Sequence, residues 1–181
     1  MIPHFNLSLV IPPFVGADAT DPDGMSPYEA SMTEVVGRFG ITAERAEILE
    51  GLLDYREELR RLGIVQGFQW IAGSFCENVE IIRNRPPGDV DIVTFAYRHI
   101  ADNAQWDAFF QGNPQVFDPY EAKQRFKTDA YYVDFGIEAD FIVDATSYWS
   151  GLFSHQRNSH LWKGMLKVSL ASDDAAARAM L

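Results

Sequence analysis

The sequence predicts an α/β or α+β domain: a β-sheet of mixed strand direction flanked by helices. Three observations carry this. Residues 42–62 place Ile48, Leu49, Leu52, Leu53, Leu59 and Leu62 at helical spacing. Residues 64–72, 89–95 and 163–170 are short runs rich in β-branched and aromatic side chains, the signature of strands. The segments between these runs include both helical crossovers and a hairpin-like bend, which implies parallel and antiparallel neighbours in one sheet.

The elements follow in order. Residues 1–25 carry four prolines and two glycines around the apolar run Leu7 to Ile11, and read as an extended arm packed on a single domain of residues 1–181. Ser26-Pro27-Tyr28-Glu29 matches a capping box with Pro at the first helical position, predicting a helix to about Phe39. Thr42 opens the second helix, whose outer face is charged, and Gly63 stops it. A strand over 64–72 ends at Gly73-Ser74, a short helix covers 75–82, and the prolines and glycine of residues 83–88 make a loop. A strand over 89–95 and helices over 102–110 and 118–127 follow. Residues 131–135 and 138–143 read as strands, or one strand bent at Gly136, then comes a helix over 147–153 and a last strand over 163–170.

Composition bounds the function. The chain has 181 residues, enough for one domain with a sizeable core, and 47% hydrophobic with 23% charged residues is ordinary for a globular protein. Cys76 is the only cysteine, which excludes an internal disulfide and a cysteine-built zinc site. No apolar run approaches the ~20 residues of a membrane span. Residues 1–25 contain no Lys or Arg, so no signal peptide is expected and the expected location is cytoplasmic. A net charge of −11 works against binding long nucleic acid. One stretch breaks that pattern: residues 145–172 contain no Asp or Glu but hold His155, Arg157, His160, Lys163 and Lys167.

The chemistry centres on Asp89-Val90-Asp91. Period-two alternation puts the two carboxylates on one strand face and Val90 and Ile92 on the other. Paired carboxylates repel, and burying either alone is costly, so the pattern calls for a cation. Hard ions such as Mg²⁺ or Mn²⁺ take carboxylate oxygens and keep sites for water or phosphate. A third carboxylate from a neighbouring strand is expected; Asp140 in Glu138-Ala139-Asp140-Phe141 leads, with Asp134, Glu138 and Asp144 as alternatives. Gly73 at a strand end lets phosphates approach the backbone, and Ser74 can cap the next helix and offer a hydroxyl. Arg157 and Lys163, and Arg83 and Arg85 from the loop, are candidate phosphate contacts. Ser74 lacks the Gly-x-Ser-x-Gly pattern of an esterase, and Cys76 has no neighbouring histidine to act as its base. His155 and His160 do not share a helical face, which argues against zinc. Trp70, Trp106, Trp149 and Trp162 read as core residues, with Tyr148-Trp149 the best exception should it border the cleft.

A strand, Gly73-Ser74, a short helix, a loop and then Asp89-Val90-Asp91 in an apolar strand resemble the nucleotidyltransferase superfamily of the polymerase-beta type, nearest its minimal prokaryotic members. The resemblance covers residues 64–143. Residues 75–88 make the spacer longer than in those members, with the extra length in Ile81 to Gly88. The arm and the end Leu161 to Val168 also resemble a bacterial family with the same core, which implies no substrate. The resemblance implies transfer of a nucleoside monophosphate from an NTP, ATP among them, with release of pyrophosphate. By it, Asp89, Asp91 and Asp140 are the catalytic carboxylates and hold Mg²⁺ or Mn²⁺, while Gly73, Ser74, Arg157 and Lys163 bind the nucleotide. The acceptor is a hydroxyl of a protein, an RNA end or a small molecule. Minimal enzymes of this kind act in toxin–antitoxin or phage-defence modules. The rival reading is an inactive protein of the same fold that binds a nucleotide or a protein partner.

Overall fold

In the computed structural model, which describes residues 1–181, five strands form one sheet: β1 (Tyr28–Glu29), β2 (Gly67–Ala72), β3 (Val90–Ala96), β4 (Thr128–Asp134) and β5 (Leu166–Ser169). Their spatial order is β1-β5-β2-β3-β4. β2 runs antiparallel to β3 and β5, whereas β3 and β4, and β1 and β5, are parallel. The fold is therefore α+β with a mixed sheet. The helices are α1 (Met32–Phe39), α2 (Ala43–Arg61), α3 (Val79–Arg83), α4 (Asn103–Gly112), α5 (Pro114–Phe117), α6 (Pro119–Phe126), α7 (Ala139–Phe153) and α8 (Asp174–Arg178). The parallel β3–β4 pair needs a long crossover, and α4, α5 and α6 supply it.

Local signals account for most boundaries. Thr42, Asp102 and Asp118 each cap a helix by accepting backbone N–H bonds, from Arg45, from Gln105, and from Tyr120 and Glu121. α2 ends in a Schellman pair, with Gly63 N–H donating to Arg60 O and Ile64 N–H to Leu59 O; Gly63 takes φ +81° there.

Two expectations are corrected. The first helix does not start at Ser26. Residues 26–34 contain the Ser-x-x-Glu pattern twice, and the capping box forms at Ser31 and Glu34. Tyr28 and Glu29 are instead held in the sheet: Tyr28 N–H donates to Met165 O and Ala30 N–H to Lys167 O. Residues 138–143 are not a strand either. After a turn in which Gly136 N–H donates to Asp134 Oδ1, they begin α7. Ile142, Ala145, Trp149 and Phe153 recur at helical spacing and form its inner face, a period that extends beyond the β-branched Ile142-Val143 pair. α5 and α8 had no counterpart in the sequence reading.

The sheet separates two apolar layers. On one side Ile71, Val90, Ile92, Ala130, Leu166 and Val168 join α1, α2 and α6 in a cluster of 30 buried residues. On the other, Trp70, Ala72, Val93, Phe95, Val133 and Met165 pack beneath Phe153 of α7 in a cluster of seven. The arm closes the sheet's end, with Val10 and Ile11 fully buried and Gly164 N–H donating to Ile11 O. No helix is long and apolar enough to cross a membrane.

Candidate functional site

Alternation along β3 sends Val90 and Ile92 into the larger core and Asp91, Val93 and Phe95 towards the α7 side. Asp89 immediately precedes the strand. Parallel pairing sets Asp91 of β3 beside Asp129 of β4 in register, which brings their backbones to about 4.8 Å, the ordinary strand spacing. The third carboxylate at this point is thus Asp129. Asp140 lies in the first turn of α7, exposed, where it accepts a bond from the adjacent Phe141 N–H. Asp134 pairs with Arg98 at the far end of β4, and Glu138 and Asp144 are exposed. The missed signal lay in Thr128 to Val133: starting the strand at Thr128 rather than Tyr131 puts Asp129, Tyr131 and Val133 on the face shared with Asp91.

Burial is the main reason that the Asp91 carboxyl is pushed up to about 6; Asp89 and Asp129 raise it further, against the pull of Lys163 and Lys123. Lys123, from α6, forms an ion pair with Asp89 and stands 3.9 Å from Asp129. As the side chains stand, no three His, Cys, Asp or Glu converge as a metal-ligand set. The Lys123 ammonium is the cation against Asp89 and Asp129, and Lys163 adds a second positive charge near Asp91.

Gly73 ends β2 directly against this cluster. Its φ is +74°, and a Cβ there would collide with the Asp91 carboxylate, so two independent constraints require glycine. Ser74 opens a 3₁₀ turn over Ser74–Cys76 but makes no capping bond, unlike the expectation. Lys163 is only 3% exposed and donates to Gly73 O at 2.9 Å and to Glu77 Oε1 at 2.6 Å. Glu77, equally buried, also accepts from Gln156 Nε2 at 2.8 Å. Lys163 therefore braces the Gly-Ser turn from inside the wall, a different role from the free phosphate contact expected of it. Cys76 is fully buried, and burial pushes its thiol up to about 12, which leaves no reactive thiolate.

Gly73, Ser74, Asp89, Asp91 and Asp129 line a cavity of about 660 Å³. The opposite wall comes from the acid-free segment, including Gly151, His155, Arg157 and His160, with Arg83 and Arg85 from the β2–β3 loop. Five of the protein's 15 Lys and Arg residues line this cavity, in a molecule of net charge −11. Arg157 is exposed and forms no ion pair. Trp149 packs on Tyr131, with ring centres 4.5 Å apart, and belongs to the core; Tyr148 is exposed and does not line the cavity. A second depression, of about 790 Å³, lies beside α8. Its charges are already matched, Arg60 with Asp174 and Arg178 with Asp54, so it lacks free chemistry.

The arrangement offers hard oxygen donors on the floor, backbone of a glycine turn at one side and cations opposite. Such a set suits a cation and a polyanion together. Comparison with curated proteins and with solved structures finds no match. A family model described as a family of unknown function, DUF6932, matches residues 3–169, and the chain belongs to that family.

Proposed function

We propose that the protein is a divalent-cation-dependent nucleotidyltransferase, moving a nucleoside monophosphate from an NTP to a hydroxyl acceptor. The observation that carries the reading is the in-register pair Asp91 and Asp129, with Asp89 alongside and Gly73 packed on Asp91, at the floor of a cavity walled by cations. Three carboxylates are the donor type Mg²⁺ or Mn²⁺ prefers, and Asp91, raised mainly by burial and then by Asp89 and Asp129, is the one that a bound cation would favour most in its charged form. Asp89, Asp91 and Asp129 would hold the ion, which when bound supplies charge to the phosphates and to the attacking oxygen.

The remaining work falls to the protein. The Gly73-Ser74 turn, braced by Lys163, positions the phosphates against the carboxylates. Arg157, with Arg83 and Arg85, draws the triphosphate into an otherwise acidic molecule. Asp129 accepts the acceptor's hydroxyl proton; the freed oxygen bonds to the α-phosphorus, and the bond to the bridging oxygen breaks, releasing pyrophosphate. The cytoplasm, where NTP and Mg²⁺ meet, is the fitting location, and a toxin–antitoxin or defence module the fitting setting.

The test is transfer of label from each α-labelled NTP, with Mg²⁺ or Mn²⁺, to components of a host lysate. Asp91→Asn and Asp129→Asn should each lower transfer by about 100-fold or more, with Asp140→Asn close to the parent. Absence of transfer with any NTP overturns the enzyme, and NTP binding without transfer leaves the non-catalytic binder.

A further inference from the structure

Lys123 is a charged group at the carboxylates to which nucleotidyl transfer assigns no part. Its placement is firm. Asp118 caps α6, Ala122 and Phe126 bury its inner face, and the helix runs through Lys127 directly into β4, two residues before Asp129. The ammonium is therefore delivered to Asp89 and Asp129 by a short, well-anchored piece of chain. The side chain is still 45% exposed and already lines the cavity, so it can turn towards a ligand there.

Asp89 and Asp129 share the single Lys123 ammonium, while Asp91 feels Lys163 as well. Asp89 and Asp129 can take up a free divalent ion only by giving up that ammonium to water. A cation that arrives on a polyphosphate brings acceptor oxygens to which the ammonium can pass, so the exchange leaves no charge unpaired. Resting on the reading above, we propose that Lys123 makes the site selective for a cation bound to a polyphosphate: it occupies Asp89 and Asp129 in the nucleotide-free protein and transfers to the phosphates when the complex enters. Lys123 is thus a nucleotide-binding residue and also the reason why the free ion alone binds poorly.

The test uses the full chain and Mn²⁺, with free ion followed by electron paramagnetic resonance, with and without an ATP analogue whose α–β bridge cannot be cleaved. The parent should bind Mn²⁺ weakly alone and more tightly with the analogue. Lys123→Gln should bind Mn²⁺ alone about tenfold more tightly, one removed charge at contact range being worth that or more, and should gain less from the analogue. Lys123→Arg should keep the parent's order, which a purely steric role would not require. Circular dichroism confirms that each variant is folded. Unchanged affinity for Mn²⁺ alone in Lys123→Gln, with analogue-dependent binding intact, overturns the role of Lys123 and leaves the nucleotidyltransferase standing. Failure of parent and variant to bind Mn²⁺ under either condition overturns both.

Discussion

At the residue scale the decisive group is Asp91. Its folded-state value of about 6 lies above the ordinary 3.8, so the folded protein holds this proton more tightly than the unfolded chain does. The resulting cost is absent below about pH 4 and complete above about pH 6, where Asp91 must be charged among Asp89 and Asp129. In chelator, Asp91→Asn should therefore be more stable than the parent at pH 7.5, by on the order of 2–3 kcal/mol, and lose that advantage as pH falls to about 4. Urea denaturation across pH measures it; equal stability at every pH would show that the carboxylate carries no burden. Gly73 is less informative as a probe. Its φ of +74° and its contact with Asp91 mean that any side chain there disturbs the turn whether or not a phosphate binds.

At the scale of elements, the turn after β2 depends on a segment far along the chain. Lys163, on the approach to β5, donates to Gly73 O and pairs with buried Glu77. Lys163→Met leaves Glu77 with Gln156 and the longer, 3.5 Å ion pair to the partly exposed Arg83, a buried charge without its closest cation. The expected loss is about 3–5 kcal/mol, and raising the pH should not restore it. Chemical denaturation checks the size. A loss under about 1 kcal/mol would mean that the pair is not the brace of the turn. α7 makes a contrasting point. Its inner face covers the sheet, while Phe141, Tyr148 and Leu152 are 57%, 62% and 45% exposed, so Asp140 sits on a helix that roofs the site's layer without reaching its floor.

For the whole molecule, Arg56 ties distant parts together. From the middle of α2 its guanidinium donates to both oxygens of Asp174, at 2.7 and 2.9 Å, to Gln69 Oε1 at 2.6 Å and to Ser169 O at 2.7 Å. One fully buried cation thus joins α2, β2, the end of β5 and α8. Arg56→Met should cost about 3–5 kcal/mol, because Asp174 and the Gln69 carbonyl lose buried donors. The double variant Arg56→Met with Asp174→Leu should recover part of that loss, since the buried carboxylate, left with Arg60 alone, is then removed. Urea midpoints of the two variants measure this, and a double variant no better than the single would locate the loss in packing rather than charge.

The helices with strong local signals were legible from residue order alone: Thr42, Asp102 and Asp118 as caps, Gly63 as a stop, and the spacing of Ile48 to Leu59. So was the common face of Asp89 and Asp91, because alternation along a strand is local, and so was a glycine turn ahead of them. What local chemistry left open was decided by pairing across the sheet. Ser26 and Ser31 both satisfy the same capping pattern, and hydrogen bonds from Tyr28 and Ala30 to Met165 and Lys167, at the start of β5, select Ser31. Residues 138–143 have strand-like composition, but the longer helical period that runs to Phe153 lays them on the sheet as a helix. Asp129 becomes the partner of Asp91 only through the register of β4 on β3, after a crossover of three helices. Register is a long-range choice that buries Ala130 and packs the half-buried Tyr132 on one face and leaves Asp129 on the other, and no short stretch of sequence contains both sides of that decision.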